Sequence, residues 1–237
     1  TMAGARLLCE EGKPKADAAI VGEPTAMQPI YAHKGIMMMS ITLRGSSGHS
    51  SNPDLGRNAL DAMHQVMSDL IDFRGELAGK FRNPGFEVTI PTLNLGCLQA
   101  GDNPNRICEH AELQIDLRLL PGMDSEATHY ELKYRVSQIA EAFGMPIDVS
   151  LFYPPVPPYE TPRDGELVRA LEAATGKPAG TVAFGTEAPF FQSLGMETVV
   201  FGAGSIDQAH QPNEFIDRAY FEPMEDVLRQ LIQRYCA

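Results

Sequence analysis

A change of strand pattern, out and back again, limits what this chain can fold into more than any other feature. The run DAAIVG near residue 20 is apolar without alternation, which suits a strand buried on both faces of a parallel sheet. From about Gly35 the pattern alternates. IMMMSITL puts Met37, Met39, Ile41 and Leu43 on one face, and AELQIDLRL puts Leu113, Ile115, Leu117 and Leu119 inward with Glu112, Gln114, Asp116 and Arg118 outward. After the proline-rich stretch YPPVPPYETP, short unalternating runs return as TVAF and ETVVFG, each set between helical segments. A chain that leaves one pattern, adopts a second and comes back is expected to be one domain interrupted by another.

The alternating segment reads as β-α-β-β-α-β, a ferredoxin-like unit with helices on one face of its sheet. Its first helix is expected from Arg57 to about Gly75, with Leu60, Met63, Met67, Leu70 and Ile71 along one stripe. Its second starts at an Asp124 N-cap and buries Leu132, Val136, Ile139 and Phe143. The middle strands are expected in FEVTIPTLNLG and AELQIDLRL, the last in PIDVSLF. The flanking segments read as α/β with a mostly parallel sheet. A terminal helix with Pro223 in its first turn buries Phe221, Met224, Val227, Leu228, Leu231 and Ile232. The expected division is 1–32, 33–153 and 154–237, the outer two forming one domain.

Composition enters mainly by exclusion. The net charge of -12 over 237 residues argues against nucleic-acid binding, which needs a basic stripe. No apolar run approaches the roughly 20 residues of a bilayer span. The four cysteines include no C-x-x-C pair and read as reduced thiols; with no basic and apolar opening segment, the expected location is the cytoplasm.

Several residues could carry chemistry. Glu23 ends an apolar strand, the end at which ligand sites of open parallel sheets lie; a surface glutamate in an E-P-T turn is the plain alternative. His210, in AHQPNE, follows the strand ETVVFG, and histidine is the commonest metal ligand. Two ligands are fewer than the three that a catalytic zinc normally takes from protein. His49, in SSGHSS, sits on an accessible loop and could equally be an inconsequential solvent histidine. Arg118 shares a face with Asp116, as a surface pair or as a guanidinium offered to a substrate carboxylate. Thr186 and Glu187 stand at a helix start, either as a simple cap or as a loop touching substrate.

The ordered set VGEPT, AHKG, RGSSGHSSNPDLGRNA, TLNLG, NRIC, DLRLLPG, GTEAPF and GAGSIDQAHQPNE resembles the acetylornithine deacetylases, within the two-metal exopeptidases and deacylases that also hold succinyl-diaminopimelate desuccinylase. The resemblance runs nearly end to end. It implies an α/β catalytic domain interrupted by a ferredoxin-like lid that makes a homodimer. It implies two zinc or cobalt ions, with Glu23 binding one and His210 the other, and a small N-acyl amino acid as substrate. His49 is implied to bond the oxyanion of the tetrahedral intermediate, Asn105 and Arg118 to hold the substrate's carboxylate, and His33, Thr186 and Glu187 to line the pocket. The implied reaction is hydrolysis of N-acetyl-L-ornithine to acetate and L-ornithine, a step of arginine biosynthesis. The family's remaining metal ligands and its general base are expected ahead of Thr1, so the chain alone is expected to be inactive. Two other readings remain: a dimerising, ligand-binding protein without turnover, and a deacylase for another N-acyl amino acid or N-succinyl-diaminopimelate.

Overall fold

The computed structural model describes residues 2–236. These divide into two compact units, one spanning Gly35–Pro157 and the other made of the residues up to Lys34 and from Pro158 onward. The chain begins the outer unit with helix α1 (Ala3–Glu10) and strands β1 (Ala18–Val21) and β2 (Ile30–His33). It leaves for β3 (Gly35–Arg44), α2 (Ala59–Lys80), β4 (Thr92–Ala100), β5 (His110–Leu119), α3 (Ser125–Ala142) and β6 (Ile147–Leu151). It returns with β7 (Tyr159–Glu160), α4 (Glu166–Thr175), β8 (Gly180–Val182), α5 (Ala188–Ser193), β9 (Glu197–Val200) and α6 (Phe221–Tyr235).

The inner unit has the expected ferredoxin-like order. Its sheet runs β4-β5-β3-β6 with every neighbour antiparallel, which is what a β-α-β-β-α-β chain makes when each helix crosses the same face. Met37, Met39, Ile41 and Leu43 of β3 and Leu113, Ile115, Leu117 and Leu119 of β5 are buried. Asp124 caps α3, its Oδ1 accepting from the backbone N–H of Glu126 (2.8 Å) and Ala127 (3.0 Å).

Two expectations about α2 and β4 are corrected. α2 starts after an Asn58 cap and continues through Gly75 and Gly79 to Lys80, because Phe73 and Leu77 beside those glycines are buried and hold the extra turn. Its buried stripe is Ala59, Ala62, Met63, Val66, Leu70, Phe73 and Leu77; Leu60 and Ile71 face outward. β4 starts at Thr92, not near Phe86. Ahead of it a closed loop takes the backbone groups, with Asn83 N–H donating to Thr89 O at 2.8 Å, and Pro91 has no N–H to give a ladder.

The outer unit's sheet runs β1-β9-β2-β7, with β8 also on β2. β1–β9 is parallel, as the unalternating runs predict, and so is β2–β8, but β2–β9 and β2–β7 are antiparallel, so the sheet is mixed where a mostly parallel one was expected. β9 is buried on both faces. Val199 and Phe201 pack with Leu167, Leu171, Val227 and Leu231, while Val200 packs with Val21, Ile30 and Tyr159. The terminal helix forms with Pro223 in its first turn, but only Val227 and Leu231 are buried. Phe221 is 53% exposed and Ile232 60%, and Leu228 is also exposed, since among the described residues only one stripe of α6 meets the core.

Candidate functional site

In the outer unit, Glu23 follows the carboxyl end of β1, and the segment leading to His210 follows the carboxyl end of its parallel neighbour β9. Backbone and one threonine lace these two exits together. Met27 N–H donates to Gly202 O at 2.9 Å, Ala26 N–H to Gly204 O at 2.6 Å, and Gly202 N–H to Thr25 Oγ1 at 3.1 Å. A side chain at position 202 would put its Cβ 2.5 Å from Glu23 O, so glycine there is what lets the Glu23 turn sit against the β9 exit. His210 takes φ +62°, a left-handed conformation uncommon outside glycine, and its N–H donates to Glu214 Oε2 at 3.2 Å.

Charge ties Glu23 to two other residues. Burial pushes its carboxyl above the usual glutamate range, the Glu187 carboxylate adds to the rise, and His210 opposes it. Glu23, Glu187 and His210 thus share one electrostatic neighbourhood at the strand ends. A half-buried carboxylate beside a second carboxylate stays ionised most readily when a cation neutralises the pair.

His33 and Thr186 lie behind this surface. His33 is fully buried; its Nδ1–H donates to Lys34 O at 2.9 Å and its Nε2 accepts from Thr186 N–H at 3.2 Å. The ring packs 5.1 Å from that of Tyr159, whose hydroxyl donates to Thr198 O. Burial lowers the His33 pKa to about 4, so the ring is neutral near pH 7. Thr186 is also buried, and its Oγ1 accepts from Ala188 N–H at 3.1 Å, while Glu187 occupies the cap position of α5. Both ring nitrogens of His33 are therefore bonded to main chain, and the Nε2 contact holds the loop that carries Glu187.

In the inner unit, two loops far apart in sequence run side by side. Ser50 N–H donates to Asn105 O at 3.0 Å, Ile107 N–H donates to Gly48 O at 2.9 Å, and His49 bridges to Arg106. His49 and Asn105 are thereby neighbours, both exposed. Arg118 lies on the sheet face opposite the buried row, where its Nε donates to Asp116 Oδ2 at 3.0 Å. That contact uses Nε, and among the described residues no hydrogen bond occupies the terminal nitrogens.

Residues 31–143 match the family described as the peptidase dimerisation domain, M20 type. The chain therefore carries a domain of this type over those residues. It is 41% identical over 236 residues to an acetylornithine deacetylase of Pectobacterium atrosepticum and 42% identical over 236 residues to one of Photorhabdus laumondii. Each comparison takes in 100% of this chain and 61% of the relative, so the chain spans about three fifths of the length of these proteins. Among solved structures it resembles the aminopeptidase PepT of Bacillus cereus, with TM-score 0.76 at 18% identity over 100% of this chain and 61% of that one. It also resembles human carnosine dipeptidase 1, with TM-score 0.66 at 14% identity over 98% of this chain and 64% of that one. At such identities the likeness concerns the fold.

Three contributors escape a reading of the sequence. Tyr159, which packs on His33, lies in a stretch whose prolines suggest only a connector. β2, which carries His33, is too short and uneven to register as a strand. Ser51 appears as one of several loop serines, yet it contacts the His49 ring. The signal for Tyr159 was a large aromatic residue amid prolines; for Ser51, a hydroxyl two residues after a candidate histidine.

Proposed function

We propose that the polypeptide to which these residues belong hydrolyses the amide bond of N-acetyl-L-ornithine, releasing acetate and L-ornithine in arginine biosynthesis. The observation that carries this is the 41–42% identity to acetylornithine deacetylases over the whole chain. Placement of Glu23 and His210 at the ends of adjacent parallel strands supports it, because open α/β sheets hold ligands there.

Two divalent ions, zinc or cobalt, are part of the proposal. A carboxylate and an imidazole are donors of the right kind. In number they fall short: among the described residues, no group of three or more His, Cys, Asp or Glu is arranged to hold a metal. Glu23 and His210 are then part of a ligand set, not the whole of one. When bound, such ions supply an activated water. The chain's own residues supply orientation and charge. Arg118 offers its free guanidinium edge to the substrate carboxylate, with Asn105 assisting, and His49 donates a hydrogen bond to the developing oxyanion. His33 and Thr186 act on the pocket through the loop bearing Glu187.

We also propose a homodimer. β4 is an edge strand of its sheet with Cys97 and Leu98 exposed, and an unpaired edge with apolar side chains favours pairing with a second copy. The four cysteines are free, which fits a reducing cytoplasm. Among the described residues no helix is long and apolar enough to cross a membrane.

A second reading, a dimerising protein that binds ligand without turnover, is favoured by the short ligand set. Metal content and acetylornithine hydrolysis, measured on this chain and on the longer polypeptide, separate the two. Two tightly held ions and turnover in the longer form, lost in Glu23→Gln and His210→Ala, is the expected result; no turnover in the longer form with any N-acyl amino acid would leave the second reading. His49→Ala should abolish hydrolysis while metal stays bound. A panel of acyl-amino acids that prefers a substrate other than acetylornithine would overturn the assignment of substrate.

A further inference from the structure

The His49 ring is held by one neighbour. Ser51 reaches its Nδ1 twice, through the backbone N–H at 3.2 Å and through the hydroxyl at 2.7 Å. A backbone N–H can only donate, so Nδ1 is an acceptor, and a neutral imidazole then carries its hydrogen on Nε2. Among the described residues no protein group is hydrogen-bonded to Nε2, and the side chain is exposed. The backbone beneath the ring is pinned as well. Asn52 N–H donates to His49 O at 3.1 Å, the bridge to Arg106 holds the other side, and a Cβ at Gly48 would come within 2.8 Å of Leu55. With the backbone fixed, what remains free is rotation of the ring and the choice of tautomer.

We infer that Ser51 is a positioning residue that locks His49 as the Nε2–H tautomer and presents that hydrogen outward as a ready-made donor. Without the lock the ring would flip, or exchange tautomers, and offer a lone pair half of the way round where a donor is needed. A hydrogen-bond donor aimed at developing negative charge works because its orientation is settled before the reaction begins. The use of this donor on an oxyanion rests on the function proposed above; the lock itself does not.

Two measurements keep these claims apart. The first is imidazole nitrogen NMR on the chain at a pH where His49 is neutral. The expected result is a single Nε2–H tautomer for His49, an added share of the Nδ1–H form in Ser51→Ala, where only the longer backbone contact to Nδ1 remains, and the single tautomer again in Ser51→Thr. An Nδ1–H tautomer in the unaltered chain, or a Ser51→Ala spectrum that matches it, overturns the inference. The second is acetylornithine hydrolysis by the metal-loaded longer polypeptide. Ser51→Ala should lower kcat about tenfold with KM unchanged, and Ser51→Thr should restore it. A changed tautomer with unchanged kcat would leave the lock standing and remove His49 from catalysis. A lowered kcat with an unchanged tautomer would overturn the positioning role.

Discussion

The two units of this protein solve their folding problems differently. The inner unit is built from 123 consecutive positions, 35 to 157, and each strand of its antiparallel sheet is joined to the next by a hairpin-like turn or one helix. The outer unit joins two ends of the sequence, and its parallel pair, β1 with β9, brings Ala18 beside Glu197. The inner sheet buries one face and leaves the other polar; the outer sheet buries both faces of β9 while leaving Leu7, Leu8, Phe221 and Ile232 exposed. Local connection makes a unit readable and self-sufficient. Non-local connection makes strand ends meet, and in this chain it is there that Glu23, Glu187 and His210 come together.

The contrast can be broken at its strongest point first. Leu117 is fully buried at the centre of the inner sheet, so Leu117→Ala should cost about 4 kcal/mol. Urea unfolding followed by circular dichroism should show that loss in the inner unit; a change below about 1 kcal/mol would mean its core is loosely packed. The outer unit should be the acid-sensitive one. His33 has a folded pKa of about 4 against an ordinary 6.5, so unfolding takes up a proton between those values. The stability that comes from keeping this ring neutral is complete above pH 6.5 and drains away as pH falls towards 4, by up to roughly 3 kcal/mol. His33→Gln, which can still donate and accept, should flatten that dependence when unfolding is repeated from pH 7 to 4.

Smaller effects sharpen the picture of the inner unit. Arg135 joins its two helices, donating to Asp69 at 3.0 and 3.1 Å and to Glu76 at 3.0 and 2.9 Å while lying 5.0 Å from the centre of the Phe73 ring. These carboxylates are partly solvated, so Arg135→Met should cost only about 1 kcal/mol, less at high salt. Gly79 is helical with nothing within 4 Å of an added Cβ. Gly79→Ala should therefore stabilise the inner unit by about 0.5–1 kcal/mol, visible as a higher melting temperature.

The alternation of β3 and β5 was enough to set their inward rows, because a period of two leaves no choice of face once one row is apolar. The Asp124 cap was readable for a similar reason: it acts on N–H groups two and three residues away. Expectation failed where burial depends on a distant partner. The stripe of α6 looked wide enough to bury Phe221, Leu228 and Ile232, yet how much of an amphipathic face is covered depends on what packs there.

The candidate site divides along the same line. By itself the sequence determined the kinds of element, their order, and the chemistry available at Glu23, His49, Arg118 and His210, since these follow from residue type and short-range spacing. Only the tertiary structure decided which of them meet. It drew Glu23, Glu187 and His210 into one field, set His49 beside Asn105, and turned Ser51 onto the His49 ring. It also enclosed His33, whose two nitrogens are bonded to backbone groups of Lys34 and Thr186. The physical reason is that pairing between β1 and β9, and between the 46–50 and 105–107 loops, rests on hydrogen bonds between main-chain groups that every residue carries. Such contacts leave almost no mark on side-chain pattern, yet they settle where each side chain points.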